Sequence, residues 1–204
     1  RKLADTLRAE YPDLDVRITG SILMDTAFAE SSELDMRTLT PAMLTIIAVA
    51  LWFFLRSFWG MVTVLLMMTL AVIATVGMTG WLGIAFSPSS IPAPTILLTL
   101  VVANSVHLLT SFYKSVNDGV NPHEAIGNSI AKNFKAIVFC NFTTVIGFLT
   151  MNSSESPPFR DLGNITAMGV VITFFLSIVL QPALMAIFPA DGRPRWGSNE
   201  GWKK

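Results

Sequence analysis

Charge is what this sequence has least of. Between Arg37 and Lys114 a single charged side chain, Arg56, interrupts 76 residues, and the stretches Ala136–Ser154 and Leu162–Ala190 carry none. Only 14% of the chain is charged and its mean hydropathy is +0.57, against about 25% charged in an ordinary soluble domain. A water-soluble domain cannot leave runs of that length uncharged. A bilayer requires them, because a charge at the hydrocarbon centre costs about 2.5–3.5 kcal/mol. Cysteine is nearly absent too: Cys140 stands alone in an apolar run, which excludes a disulfide framework and a thiolate metal site. No Walker lysine motif is present, no His/Cys/carboxylate set has metal-ligand spacing, and no nucleophile stands beside a base. Catalysis, a cofactor and nucleic acid all lack support, the last because net charge is +0. The expectation is a protein that is not an enzyme and that holds no cofactor or metal.

The apolar runs read as five membrane-spanning helices, at residues 39–55, 61–85, 91–113, 134–151 and 162–188, each near the ~17–25 residues that cross a bilayer. Transmembrane β-strands would be about 10 residues long and alternate in polarity. The first 37 residues differ: eight acids and five bases lie there. Leu3 and Leu7 mark a short amphipathic helix. Leu14, Val16 and Ile18 alternate with polar residues as a half-buried strand, and a polar helix follows over about Ile22 to Met36. Residues 1–37 are therefore expected to be the C-terminal end of a water-exposed α+β domain, residues 38–190 the membrane domain, and residues 191–204 a tail or linker. With Arg1 at the start, the chain reads as part of a longer protein. Between spans three and four, Asn121-Pro122-His123-Glu124 is a helix-start signal, with an N-cap residue, proline at the first helical position and glutamate at the third. It predicts a separate surface helix over about 121–131.

Orientation follows from lysine and arginine. Arg56, Lys114, Lys132, Lys135, Arg193, Arg195, Lys203 and Lys204 fall on the side of the tail, whereas Arg37 and Arg160 fall on the other. The basic excess predicts a cytoplasmic tail and residues 1–37 outside.

What remains is the polar content of the spans. Asn104, Ser105 and His107 occur in span three, and Asn104 and His107 share a helical face. Thr143 and Thr144 occur in span four. If the two helices pack side by side, Asn104 or His107 reaches a threonine hydroxyl, forming a polar seam. One reading of the seam is a proton or substrate path, since histidine titrates near neutrality. The other is a structural hydrogen bond between helices. Gly147, Gly163 and Gly169 are candidates for close helix contact.

The order of these motifs resembles the resistance–nodulation–division (RND) superfamily, in its branch of mycobacterial-membrane-protein-large (MMPL) and Patched-like exporters. The likeness is carried by Val102-Ala103-Asn104-Ser105-Val106-His107-Leu108-Leu109 and by Thr143-Thr144-Val145-Ile146-Gly147-Phe148. It continues through Pro157-Pro158-Phe159-Arg160-Asp161-Leu162-Gly163, Gly169-Val170 and Gln181-Pro182-Ala183-Leu184. The resemblance implies spans two to six of one six-helix half, the block called a sterol-sensing domain in eukaryotic relatives. It implies a porter-like periplasmic domain before it and a second half of the same polypeptide after it. It further implies a bacterial inner-membrane exporter, a lipid bilayer around it, a hydrophobic or lipid-like cargo, and assembly as a monomer or homo-oligomer. One departure stands out. The family's proton-carrying carboxylate falls on Asn104, whose amide does not titrate near neutral pH. The proton carrier then lies in the second half, or is His107, or proton drive is lost and the block is a lipid sensor or accessory protein.

Overall fold

The structure, a computed structural model, describes residues 20–188 except 85 and 88. The helix and strand expected within residues 1–19, and the tail 191–204, lie outside the described residues. Every element among the described residues is helical: α1 Ser21–Leu55, α2 Phe58–Trp81, α3 Ala93–Asn117, α4 Pro122–Leu149, α5 Pro157–Phe175 and α6 Gln181–Ile187. A 3₁₀ turn, Thr150–Ser153, extends α4, and a π-helical turn, Leu176–Leu180, joins α5 to α6 as one rod. The α+β domain expected before the membrane is not seen among the described residues. Among the described residues, five helices are long and apolar enough to cross a membrane: Thr26–Leu55, Phe58–Trp81, Ala93–Asn117, Pro122–Ser153 and Pro157–Ile187.

Two boundaries depart from the sequence reading, both for the same reason. The polar helix at about 22–36 and span one are one continuous helix, with Pro41 inside it. The surface helix at 121–131 and span four are likewise a single helix, Pro122–Leu149. In each case the sequence reading divides the helix at a change of polarity, whereas the backbone ladder runs through it, in α1 past Pro41. Polarity decides which solvent a turn meets; only caps, glycine or proline end the hydrogen-bond ladder. The genuine ends carry such signals. Ser57, extended at φ −134°, caps α2 by accepting from the Gly60 N–H at 3.2 Å, and Asn121 caps α4 by accepting from the His123 N–H at 3.1 Å. Gly83 at φ +68° and Gly119 at φ +88° terminate α2 and α3 in the left-handed region. Arg56, at φ +48°, makes the tight two-residue connection from α1 to α2.

The chain forms two compact units, residues 1–43 and 44–204. In the first, the described part is the exposed start of α1, where Arg37 donates to Glu33 at 2.6 Å across one turn. In the second, α3 and α5 each pack against α2 and α4 and against each other, so these two form the middle of a helical bundle. Its core is Val64, Met67, Met68, Ala71, Leu97, Val101, Leu108, Leu109, Ile165 and Val170, all at most 1% exposed. Of the described side chains of α1, only Leu51 and Leu55 are buried. The outer faces carry large apolar groups, among them Ile46, Phe53, Ile73, Phe142 and Val179, each 60–70% exposed. An exterior this apolar, with the polar side chains of the spans drawn inside, is the pattern of a protein whose solvent is lipid.

Candidate functional site: a polar seam around α3

The inward stripe of α3 is Leu97, Val101, Asn104, Ser105, Leu108, Leu109 and Phe112, all buried. Asn104 lies at the edge of that stripe and is 3% exposed; its Nδ2 donates to Asn141 Oδ1 of α4 at 3.5 Å. Asn141, 3% exposed, also donates to the Ile137 carbonyl one turn back at 2.7 Å, which fixes its amide in place. Lower on the same pair of helices, Ser129 donates to the Leu108 carbonyl at 2.6 Å, and Asn133 to Ser111 Oγ at 2.7 Å. Three hydrogen bonds thus stitch α4 to α3 along the seam.

On its other side α3 meets the last rod. Ser105 Oγ donates to Gln181 Oε1 at 3.1 Å, and Gln181 Nε2 donates back to the Ser105 carbonyl at 3.2 Å. Both residues are fully buried at 0% exposure. This two-bond clamp stands near the middle of α3, where no water competes for the amide, so its alternative is an unmet polar group in hydrocarbon. The π turn immediately before Gln181 is what turns its side chain toward α3. The Gln181 N–H bonds to the Leu176 carbonyl five residues back, and the extra residue per turn rotates everything beyond it.

The expected seam residues are therefore only partly assembled. Asn104 and Ser105 are in it. His107 is not: it is exposed on the outward face of α3, shared with Thr99 and Ala103. Three residues separate Asn104 from His107, a rotation of about 60° on an α-helix, enough to carry a side chain from the edge of the buried stripe onto the outer face. Nor do the threonines of α4 meet α3. Thr143 donates to the Phe139 carbonyl at 2.8 Å and Thr144 to that of Cys140 at 2.7 Å, both within their own helix. Asn141 takes the place expected of Thr143 or Thr144. The amide reaches farther than a hydroxyl, and threonine in a helix has a carbonyl four residues back within easy reach.

The glycines divide in the same way. At Gly163 a Cβ would lie 2.5 Å from the Phe148 carbonyl oxygen and 2.9 Å from Met151 Cβ; at Gly169 it would meet Leu97 and lie 2.9 Å from Thr75 Cγ2. These two positions let α5 approach α4, and α2 and α3, closely. Gly147 has nothing within 4 Å of that point and faces outward, so the close contact expected there is absent.

Gln181 is the seam residue that sequence reasoning passed over. Its signal was present: a carboxamide beside a proline in an uncharged run of 29 residues, Leu162–Ala190. At the end of the bundle toward Arg56, Tyr113 donates to Ser57 Oγ at 2.9 Å, and Trp59 stacks on Phe188 at 4.9 Å between ring centres. No group of His, Cys, Asp and Glu suited to a metal ion occurs among the described residues, and Cys140 is exposed and free.

Comparison with known proteins agrees with this architecture. The chain is 27% identical over 180 residues to a membrane protein of Methanocaldococcus jannaschii (MJ1562), covering 86% of this chain and 45% of that one. It is 24% identical over 203 residues to the multidrug resistance protein MdtC of Pectobacterium atrosepticum, covering 94% of this chain and 20% of that protein. The chain thus spans less than half the length of the curated relatives it matches. Five membrane-crossing helices and relatives of this kind make it a multi-pass membrane protein. The model of the MMPL family matches residues 1–203, and the chain belongs to that family.

Proposed function

We propose that this chain is the membrane half-domain of an RND-type exporter, which moves a hydrophobic or amphiphilic molecule, such as a lipid, out of the membrane under the proton gradient. It works by binding and movement and not by chemical catalysis. The observation that carries this reading is the central clamp: a glutamine and a serine paired at 0% exposure in the middle of a lipid-facing bundle. Buried amides of this kind are expensive in a membrane, and they concentrate where helices must hold and release one another. Membership of the MMPL family and the likeness to a multidrug resistance protein support the same reading. One charge crossing 100 mV supplies about 2.3 kcal/mol, enough to drive such a rearrangement. The basic excess on one side orients the protein in a bacterial inner membrane with Asn117 and Asp118 facing the cytoplasm. In this reading a second half of the same polypeptide completes the transporter.

Export of a lipophilic dye by the intact protein tests the proposal. Asn104→Ala with Gln181→Ala should lower transport about tenfold, equivalent to about 1.4 kcal/mol on the working cycle, and a protonophore should abolish what remains. Unchanged export from the folded double variant makes the seam structural only.

A second reading is a non-pumping lipid sensor or accessory protein. It is favoured by the amide of Asn104 and by the outward position of His107, since among the described buried residues there is no carboxylate, histidine or lysine. No dye export by the wild type, with or without a membrane potential, supports this reading over the first.

A further inference from the structure

Among the described residues, nothing answers the charges of Lys132 and Lys135 on α4. Both side chains are exposed, and neither makes an ion pair or a side-chain hydrogen bond there. Arg37, by contrast, donates to Glu33 one turn away. The one carboxylate of α4, Glu124, stands eight residues before Lys132, about 12 Å along the helix. Asp118 lies past the end of α3. Depth makes the lysines unusual. The uncharged length of α3, Ala93–Tyr113, centres on Ala103, beside Asn104. Two bonds set α4 against it: Asn104 to Asn141, and Asn133 to Ser111 farther down. Lys135 falls between those levels, about 9 Å along α4 from Asn141, inside a hydrocarbon half-thickness of about 15 Å. At that level α3 is still uncharged and meets its first charge, Lys114, only beyond Ser111. The amine of Lys135 must therefore run out along the helix to an anion or to water at the edge of the layer.

The rest of that face says what fits. Residues 132, 135, 139, 142 and 146 recur at intervals of three and four, so they share one side of α4. Phe139, Phe142 and Ile146 are 66%, 60% and 48% exposed. The stripe thus carries two amines at one end, then large apolar groups for about 16 Å beyond Lys135, close to the depth of one leaflet. That is the outline of an anionic phospholipid, with its phosphate at the lysines and an acyl chain along the phenylalanines. A packed helix suits the stripe less well. Membrane helices meet through small residues, and a dry contact would enclose two unpaired cations.

We propose that the outward face of α4 binds an anionic phospholipid of the leaflet at the Lys114 end of the bundle. Lys132 and Lys135 hold its phosphate, and an acyl chain lies on Phe139, Phe142 and Ile146. The site needs only that α4 spans the membrane, and it stands whether or not the protein exports anything.

Native mass spectrometry of the intact protein, released from micelles holding equal amounts of phosphatidylglycerol and phosphatidylcholine, reads the site. The wild type should retain phosphatidylglycerol about tenfold over phosphatidylcholine, the preference that a pair of surface cations gives. Lys132→Gln with Lys135→Gln should cut that ratio by about threefold or more. Lys114→Gln, on α3 and off the stripe, should leave it unchanged. Equal retention of the two lipids by the wild type, or a preference that survives in the double variant, overturns the site. An equal loss in Lys114→Gln overturns it too, since attraction by net charge alone would then explain the preference. Excess inorganic phosphate should not displace the lipid, because it brings no acyl chain; displacement reduces the stripe to a simple anion site and counts against the proposal. If the double glutamine variant does not fold, Lys132→Arg with Lys135→Arg keeps both charges and must fold with the preference intact. Failure of either sinks the proposal.

Discussion

At the scale of single residues, position on the helix decides which polar and small groups matter. Gly163→Ala should be the most damaging of three matched substitutions, because its Cβ would press on the Phe148 backbone oxygen, which cannot step aside. Gly169→Ala meets side chains of Leu97 and Thr75 and should cost less, and overpacking of this kind amounts to about 1–3 kcal/mol. Gly147→Ala has open space around it and should leave stability unchanged or slightly raised. Unfolding of the purified protein in detergent, monitored by circular dichroism, ranks the three. The polar residues divide similarly. Gln181→Leu removes both bonds of the clamp and should cost about 1–2 kcal/mol, in line with hydrogen bonds between membrane helices. His107→Asn, on an exposed face, should leave the unfolding temperature where it was. A marked loss at His107 would place a partner for it within the bundle.

At the scale of elements, the informative result is the continuity of α1 and α4. The sequence located both helices but divided each where charged residues give way to an apolar run, after Arg37 in α1 and around Lys132 in α4, because hydropathy reports the surroundings of a segment and not its hydrogen-bond ladder. Lys132 stands at the junction between the expected surface helix and span four. In the continuous α4 it is a helix-interior position, so Lys132→Pro removes a ladder bond and clashes with the preceding turn, at about 3 kcal/mol or more. In a flexible junction the same change would be nearly silent, so the measured unfolding midpoint separates the two arrangements. The π turn is the other element that hydropathy does not reveal. Leu176–Leu180 is as apolar as any helical segment, and only the register of its backbone bonds distinguishes it. That register determines whether Gln181 meets Ser105 or lipid.

At the scale of the whole molecule, the exterior identifies the solvent. Ile46 is 69% exposed, near the middle of the expected span 39–55. In water, Ile46→Asp would be a routine surface change, within about ±0.5 kcal/mol. In a bilayer it carries about 2.5–3.5 kcal/mol, so the variant should be recovered at much reduced yield from the carbonate-resistant membrane fraction. Class and number of spans were legible without coordinates, because long uncharged runs have one physical explanation and the cost of a charge in hydrocarbon is paid residue by residue. The presence of Asn104 and Ser105 in a buried seam was legible too, since an amide among apolar residues must find a partner. The identity of those partners was not. A rotation of 60° separates Asn104 from His107, one extra residue in a turn sets the direction of Gln181, and threonine can satisfy itself on its own helix. The sequence by itself determined that polar groups inside the membrane must be satisfied; only the packing of α3 between α4 and the last rod decided by which atoms, because hydrogen bonding between helices depends on rotation and register that no single segment encodes.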